Sequence, residues 1–479
     1  MFRWLCVPLA LMGCGGDAQD DDTSNPSSLC GDLQFQASEF AGSSYVATWS
    51  SQVEGTPTIT LDLNETSWTY SADESGTSHT VSLNNLRYGG DYIATVEVSG
   101  ADGTEVCTDI ELDVPSAPGG IMRFDINLSD PGSAMETGYL VLSTLQADSS
   151  WVAVVDGLGR FRFVQATDET NMSVGRARPS RDGTSVWWSY YDLDRVDDIG
   201  GIGRVRLDGT ESSRTRTLLA HHDFVELPTG DLAWLGYDRR DFAMPANVED
   251  PDYAANCPGG VCPVATDTIL EGPEGMVEGE MPVEISNWWE DLSYDPFWVC
   301  DHMWDFGSFV PDYYEWTHGN SIAYVDSQDA FYVMARYLDS LYKVDRATGQ
   351  VLWQMGGAAN EFTLTDGEWW DHGHMSEVTE NSFLVFDNGD HRGFSRVSKY
   401  SWDESAMTVS QDWSLDHPSG SMLPILGDVR TLPNGNYLVV WSADAFIQEV
   451  TPEGVVVWEM QSSAGAFGVI ARATYVESL

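Results

Sequence analysis

Nine histidines occur in the 479 residues, and eight of them fall between His221 and His417. Imidazole can act as nucleophile, general acid or base, or metal ligand, so spacing decides which chemistry is in reach. His221-His222-Asp223 stands five residues before Leu227, His318 precedes a strand predicted to start near Ser321, and His374 stands four residues before Val378. Each is expected at the entrance to a strand, at one phase of a longer repeat. Asn320 and Arg336 accompany His318. A neutral imidazole beside an arginine and an amide suits attack on an electron-poor atom whose oxygens carry negative charge. Arg336 argues against a multi-histidine iron centre, because a cation beside a metal ion is unfavourable; no metal and no other cofactor is expected.

The overall charge sharpens this reading. Acidic residues number 75 and basic residues 23, a formal net charge of −52, and lysine occurs only at Lys343 and Lys399. Such a field disfavours nucleic acid and anionic lipid as partners. An anionic substrate would need a local cluster of Arg and His.

The elements that must position these groups read as strands throughout. Residues 30–115 alternate apolar and polar in short runs and are expected to form a small β-sandwich. Trp49 in an early strand and Leu86 with Tyr92 before a late one resemble a fibronectin type III or immunoglobulin-like domain with its tyrosine corner. Beyond a linker at 115–120, hairpins recur at Leu227-Pro228-Thr229-Gly230-Asp231 and Leu432-Pro433-Asn434-Gly435-Asn436. Outer runs end in tryptophan, as in Gly349 to Trp353 and Gly454 to Trp458. Six such units make a six-bladed β-propeller over 120–479, in an all-β chain, with residues 467–476 closing the ring on the first unit. Its innermost strands line a central channel, so histidines 50 to 100 residues apart converge at one mouth. Residues 238–312 read as an irregular insertion over one face.

The start of the chain carries Arg3, an apolar run and Leu11-Met12-Gly13-Cys14, a lipobox. Residues 1–13 are expected to be a lipoprotein signal, Cys14 the lipidated residue and 14–29 an acidic tether, an ordinary signal peptide being the alternative. This places the protein outside the cytoplasm, at the outer membrane, periplasm or surface of a Gram-negative cell, held to the membrane by lipid alone. In that oxidising setting Cys257 and Cys262 form one candidate disulfide, with zinc as the rival reading, Cys30 and Cys107 a second, and Cys300 is left over.

Five runs appear in order along the chain: His221-His222-Asp223-Phe224, Trp316 to Ile322, Ala335-Arg336, Gly349 to Gly357, and Phe386-Asp387-Asn388-Gly389 with Arg392. Together they resemble the bacterial arylsulfotransferase family over about residues 120–479. The resemblance implies transfer of a sulfuryl group from an aryl sulfate to a phenol without a nucleotide sulfate donor, through a sulfated histidine. It implies His374 as nucleophile, with His318, Asn320, Arg336 and His222 around the sulfate and His221, His372 and Arg392 in the binding site. Because Asp371-His372-Gly373-His374 replaces the family's Gln-His pair, His372 is the alternative nucleophile. The runner-up functions are a non-catalytic ligand-binding or scaffold propeller and a quinone-dependent dehydrogenase-like one. Trp288, Trp289, Trp304, Tyr313, Tyr314 and Trp316 are candidates either for a phenol-binding wall or for core packing.

Overall fold

The structure is a computed structural model that describes residues 32–135, 137–146, 149–166, 172–192, 200–217, 219–243, 258–292, 314–463 and 468–479. Cys14, Cys30, Cys257, Cys300, Trp304 and Tyr313 lie outside these residues. Almost every described element is a strand.

The N-terminal unit is built on one 19-residue strand, Tyr45–Leu63. Its first half pairs with Gln34–Ala37 and Gly76–Leu83, and its second half with Thr66–Ser71 and Asp91–Gly100. Alternation along this strand buries Tyr45, Ala47, Trp49, Ile59 and Leu61 in one core. The Arg87 N–H donates to the Tyr92 hydroxyl at 2.8 Å, the bond expected of a tyrosine corner.

Among the described residues six mainly antiparallel sheets of four or five strands follow. Their edge strands Met172–Pro179, Ala220–Glu226, Gly319–Val325, Gly373–Val378, Asp428–Thr431 and Val469–Val476 neighbour one another in that order, and the last meets the first. The ring is closed twice by the ends of the chain. Val469–Val476 completes the sheet of Tyr139–Gln146, as the sequence predicts, and Phe124–Ser129 pairs with Val456–Ser462 at the outside of the last sheet.

Local sequence explains the hairpins. In both 227–231 and 432–436 a glycine takes the left-handed position, Gly230 at φ 86° and Gly435 at φ 90°, and the turn closes with the Leu227 N–H donating to Asp231 O and the Leu432 N–H to Asn436 O, each at 2.8 Å. Aromatic rings fill the space between adjacent sheets. Trp353 lies 5.8 Å from Tyr332 and 6.0 Å from Trp402, and Trp370 5.1 Å from Phe383. Each such ring takes roughly 150–250 Å2 out of water, a gross gain of about 4–6 kcal/mol.

The segment expected to be an irregular insertion is partly regular. Leu232–Ala243 and Val261–Gly272 pair antiparallel over their full length in the third sheet. Trp288, Trp289 and Trp316 are core: Trp288 packs on Tyr342 at 4.7 Å and Trp289 stacks on Trp316 at 5.6 Å. Cys107 and Cys262 are both buried, and the cysteines expected to pair with them lie outside the described residues.

Candidate active site

Irregular backbone at the starts of the edge strands presents the polar side chains. His318 directly precedes Gly319–Val325 and His372 directly precedes Gly373–Val378, both left-handed, at φ 51° and 55°. His221, Asn320 and His374 are each the second residue of their strand. His318 and His374 therefore stand at two phases of the repeat, not at the single phase expected. They still meet, because a register shift follows each position, between His221 and Phe224, Gly319 and Ser321, and His374 and Glu377. A bulge re-aims side chains that regular pleating would send elsewhere. His222, at φ 50°, sits inside the first of them.

Four imidazoles gather there. The His222 ring lies 5.1 Å from His221 and 4.7 Å from His318, and His318 lies 6.5 Å from His374. Hydrogen-bond partners fix the ring nitrogens. The Asn388 amide nitrogen donates to Leu423 O at 2.6 Å and Leu426 O at 3.1 Å, so its oxygen faces His374 Nδ1 at 2.5 Å. His374 must donate from Nδ1, which leaves the lone pair on Nε2. Burial, then the charges of Arg336 and His318, hold its pKa well below the ordinary imidazole value, against the opposing pull of the Asn388 bond. His222 is held low by burial and then by the charges of His318, His221 and His374.

His318 is held differently. Its Nδ1 bonds Glu315 Oε2, and the Tyr237 hydroxyl bonds the other oxygen of the same carboxylate. Burial pushes the Glu315 carboxyl up, but the His318 charge, its hydrogen bond and that from Tyr237 outweigh it and bring the pKa down to about 2. The carboxylate thus stays ionised, and His318 Nε2 is left to exchange a proton. His221 stacks on Tyr237 at 3.7 Å, faces Asp267 with Nε2 at 3.1 Å, and meets His222 Nδ1 with its own Nδ1 at 2.9 Å.

Arg336 is 2% exposed. Its Nη2 donates to Asp390 Oδ2 and to Pro424 O, each at 2.9 Å, and its guanidinium lies over Tyr337. Asp390 also faces His372 Nδ1 at 2.7 Å, and the His372 N–H donates to Asp339 at 2.6 Å. His372 therefore shares its carboxylate with Arg336 and holds the loop that carries it. Asn320 donates to Gly373 O at 2.9 Å, tying the strand of His374 to that of His318. Arg392 is committed outside the imidazole group: it pairs with Asp387 at 2.8 Å and lies over Phe394. Asp371, His372 and His391 bring donor atoms within 4.8 Å of one another, a grouping the sequence reading did not single out.

Glu315, Tyr237, Asp267 and Asp390 were not legible as site residues. Glu315 reaches His318 through a two-residue strand, Tyr314–Glu315, that pairs in parallel with Val261–Gly272 across a long sequence gap. Asn388 was visible only inside the Phe386 to Gly389 run.

The fold and site define an all-β protein whose buried histidines and arginine can take up a transferred anionic group. The Arylsulfotransferase (ASST) family model matches residues 272–467, so this segment is similar to the arylsulfotransferase family. That match supports an aryl sulfotransferase activity. No curated protein matches the chain. Among solved structures it is similar to a Bacteroides caccae protein of unknown function, at 14% identity and TM-score 0.43 over 71% of this chain and 99% of that one. It is also similar to the Cps50 (Swd1) β-propeller domain of Myceliophteria thermophila, at 10% identity and TM-score 0.35 over 70% and 89%. A catalytically inactive virginiamycin B lyase from Staphylococcus aureus with quinupristin matches at 11% identity and TM-score 0.34 over 71% and 90%.

Proposed function

We propose that the protein moves a sulfuryl group from an aryl sulfate to a phenol by way of a sulfated His374, with no nucleotide donor. The observation that carries this reading is the Asn388 bond, which leaves a neutral imidazole with its lone pair on Nε2. That nitrogen attacks sulfur, the sulfur–oxygen bond to the aryl group breaks, and the phenoxide leaves. His318, protonated on Nε2 and oriented by Glu315, gives the leaving oxygen its proton and later removes one from the acceptor phenol. The acceptor oxygen then attacks sulfur, the nitrogen–sulfur bond breaks, and His374 returns to its neutral form. Arg336 neutralises charge growing on the sulfuryl oxygens, a contribution of about 3–4 kcal/mol for one well-placed donor. The six sheets are read as the blades of a propeller, the N-terminal unit as a β-sandwich, and Cys14 as the lipid anchor. Cys257 with Cys262 and Cys30 with Cys107 are read as the disulfides.

The test is release of a chromogenic phenol from an aryl sulfate, with and without an added phenol acceptor. Turnover that rises with acceptor, in parallel-line kinetics, supports the proposal. A folded protein that neither releases phenol nor sulfates the acceptor leaves the scaffold reading in its place.

A further inference from the structure

The axis of the ring holds more positive charge than the proposed transfer uses. Arg176 and Arg178 come from Met172–Pro179, Arg430 from Asp428–Thr431 and Arg472 from Val469–Val476. Two buried carboxylates tie them together. Asp428 lies 3.6 Å from Arg176 Nη1 and 3.0 Å from Arg430 Nε. Asp223 lies 2.7 Å from Arg178 Nη2 and 3.0 Å from Arg472 Nη1. The two pairs are neighbours, since Arg176 and Arg178 stand two residues apart on one strand. Glu377, whose carboxylate accepts from the N–H of Thr431 next to Arg430 at 2.6 Å, is the third carboxylate of the group. Four guanidinium groups thus face three carboxylates, in a chain whose net charge is −52.

Arg176 is the least satisfied member. It is 3% exposed, its Nε and Nη1 have no hydrogen-bond partner among the described residues, and 3.6 Å to Asp428 is too long for a hydrogen bond. A buried guanidinium with unmet hydrogen bonds is costly, and a chain with so few cations has gathered four of them at one place. Arg178 and Arg430 keep 16% and 15% of their side chains exposed.

We propose that Arg176, Arg178 and Arg430 form a binding site for a small tetrahedral oxyanion of the sulfate class. The planar forks of the guanidinium groups favour an anion that accepts pairs of hydrogen bonds over a spherical one. Arg336, Asn388, His318 and His374 contribute no side chain to this site, which adjoins the imidazole group through Arg472, whose Nη2 donates to Asn320 O at 2.8 Å. Its occupant is structural, a counter-ion shared by two strands of the ring, Met172–Pro179 and Asp428–Thr431.

Thermal unfolding of the full chain at low ionic strength tests this, with sodium sulfate titrated against sodium gluconate at matched ionic strength. Sulfate should raise Tm with the logarithm of its concentration above the dissociation constant, the unfolding constant falling about 100-fold at 100 times that constant, and gluconate should not. Arg176→Gln should abolish the sulfate effect, while Arg336→Gln should keep it. If Arg176→Gln does not fold, Arg430→Gln is read in the same titration with the same expectation. Equal responses to sulfate and gluconate in the wild type overturn the proposal. So does an effect lost in Arg336→Gln and kept in the Arg176 or Arg430 variant, which would place the anion among the histidines.

Discussion

Replacing Asn388 by Asp would put a carboxylate where His374 Nδ1 now meets an amide oxygen at 2.5 Å. Charge centres about 4 Å apart interact by about 4 kcal/mol at an effective dielectric of about 20. That is equivalent to roughly 3 pKa units in favour of the imidazolium. In the wild type, burial and the Arg336 and His318 charges keep His374 neutral to well below pH 6.5. In Asn388→Asp the acid limb of kcat/KM should therefore move up by as much as about 3 units. Activity should recover at high pH, because the nucleophile is still present. The variant should also be less stable by about 2–6 kcal/mol, since Leu423 O and Leu426 O each lose a buried donor. The assay is the pH profile of aryl sulfate cleavage, with circular dichroism to confirm the fold. A folded variant whose acid limb coincides with the wild-type limb would refute the reasoning.

Glu315→Gln should lower turnover about 10²-fold, more for donors with poor leaving groups than for activated ones, because His318 loses the carboxylate that orients its proton; equal losses across a leaving-group series would remove His318 as the acid. Arg336→Lys keeps the charge but cannot span Asp390 and Pro424 O, so it should lose about 10²-fold in kcat with the fold intact, and an unchanged kcat would contradict its role. Stability should fall as pH drops below about 6.5, where the unfolded chain protonates histidines that remain neutral at positions 222 and 374 in the folded state. The expected slope is about 1.4 kcal/mol per pH unit for each, read from denaturant midpoints, and a flat profile between pH 6.5 and 5 would count against buried neutral imidazoles.

Much of the ring was legible because its signals are local. Glycine turns at Gly230 and Gly435 and tryptophans within outer strands mark the hairpins, and the apolar run at 467–476 announces the strand that closes on Tyr139–Gln146. The histidines were legible as residue types at approximate spacing. Their phase was not, since a bulge changes register without leaving a mark in a count of residues. The same limit hid Glu315, delivered by a strand pairing that only the folded chain creates. Arg392 was read into the site by type and motif, whereas Asp387 beside it claims its charge.

The central claim is that sulfate rests on His374 between the two half-reactions. Mass spectrometry of protein mixed with an aryl sulfate alone and quenched in alkali tests it directly, by locating a gain of one SO3 group on the peptide that carries His372 and His374. A sulfated His374, with no label in His374→Asn, is the predicted result. Label on His372, or full turnover by His374→Asn with no label on any histidine, would contradict it.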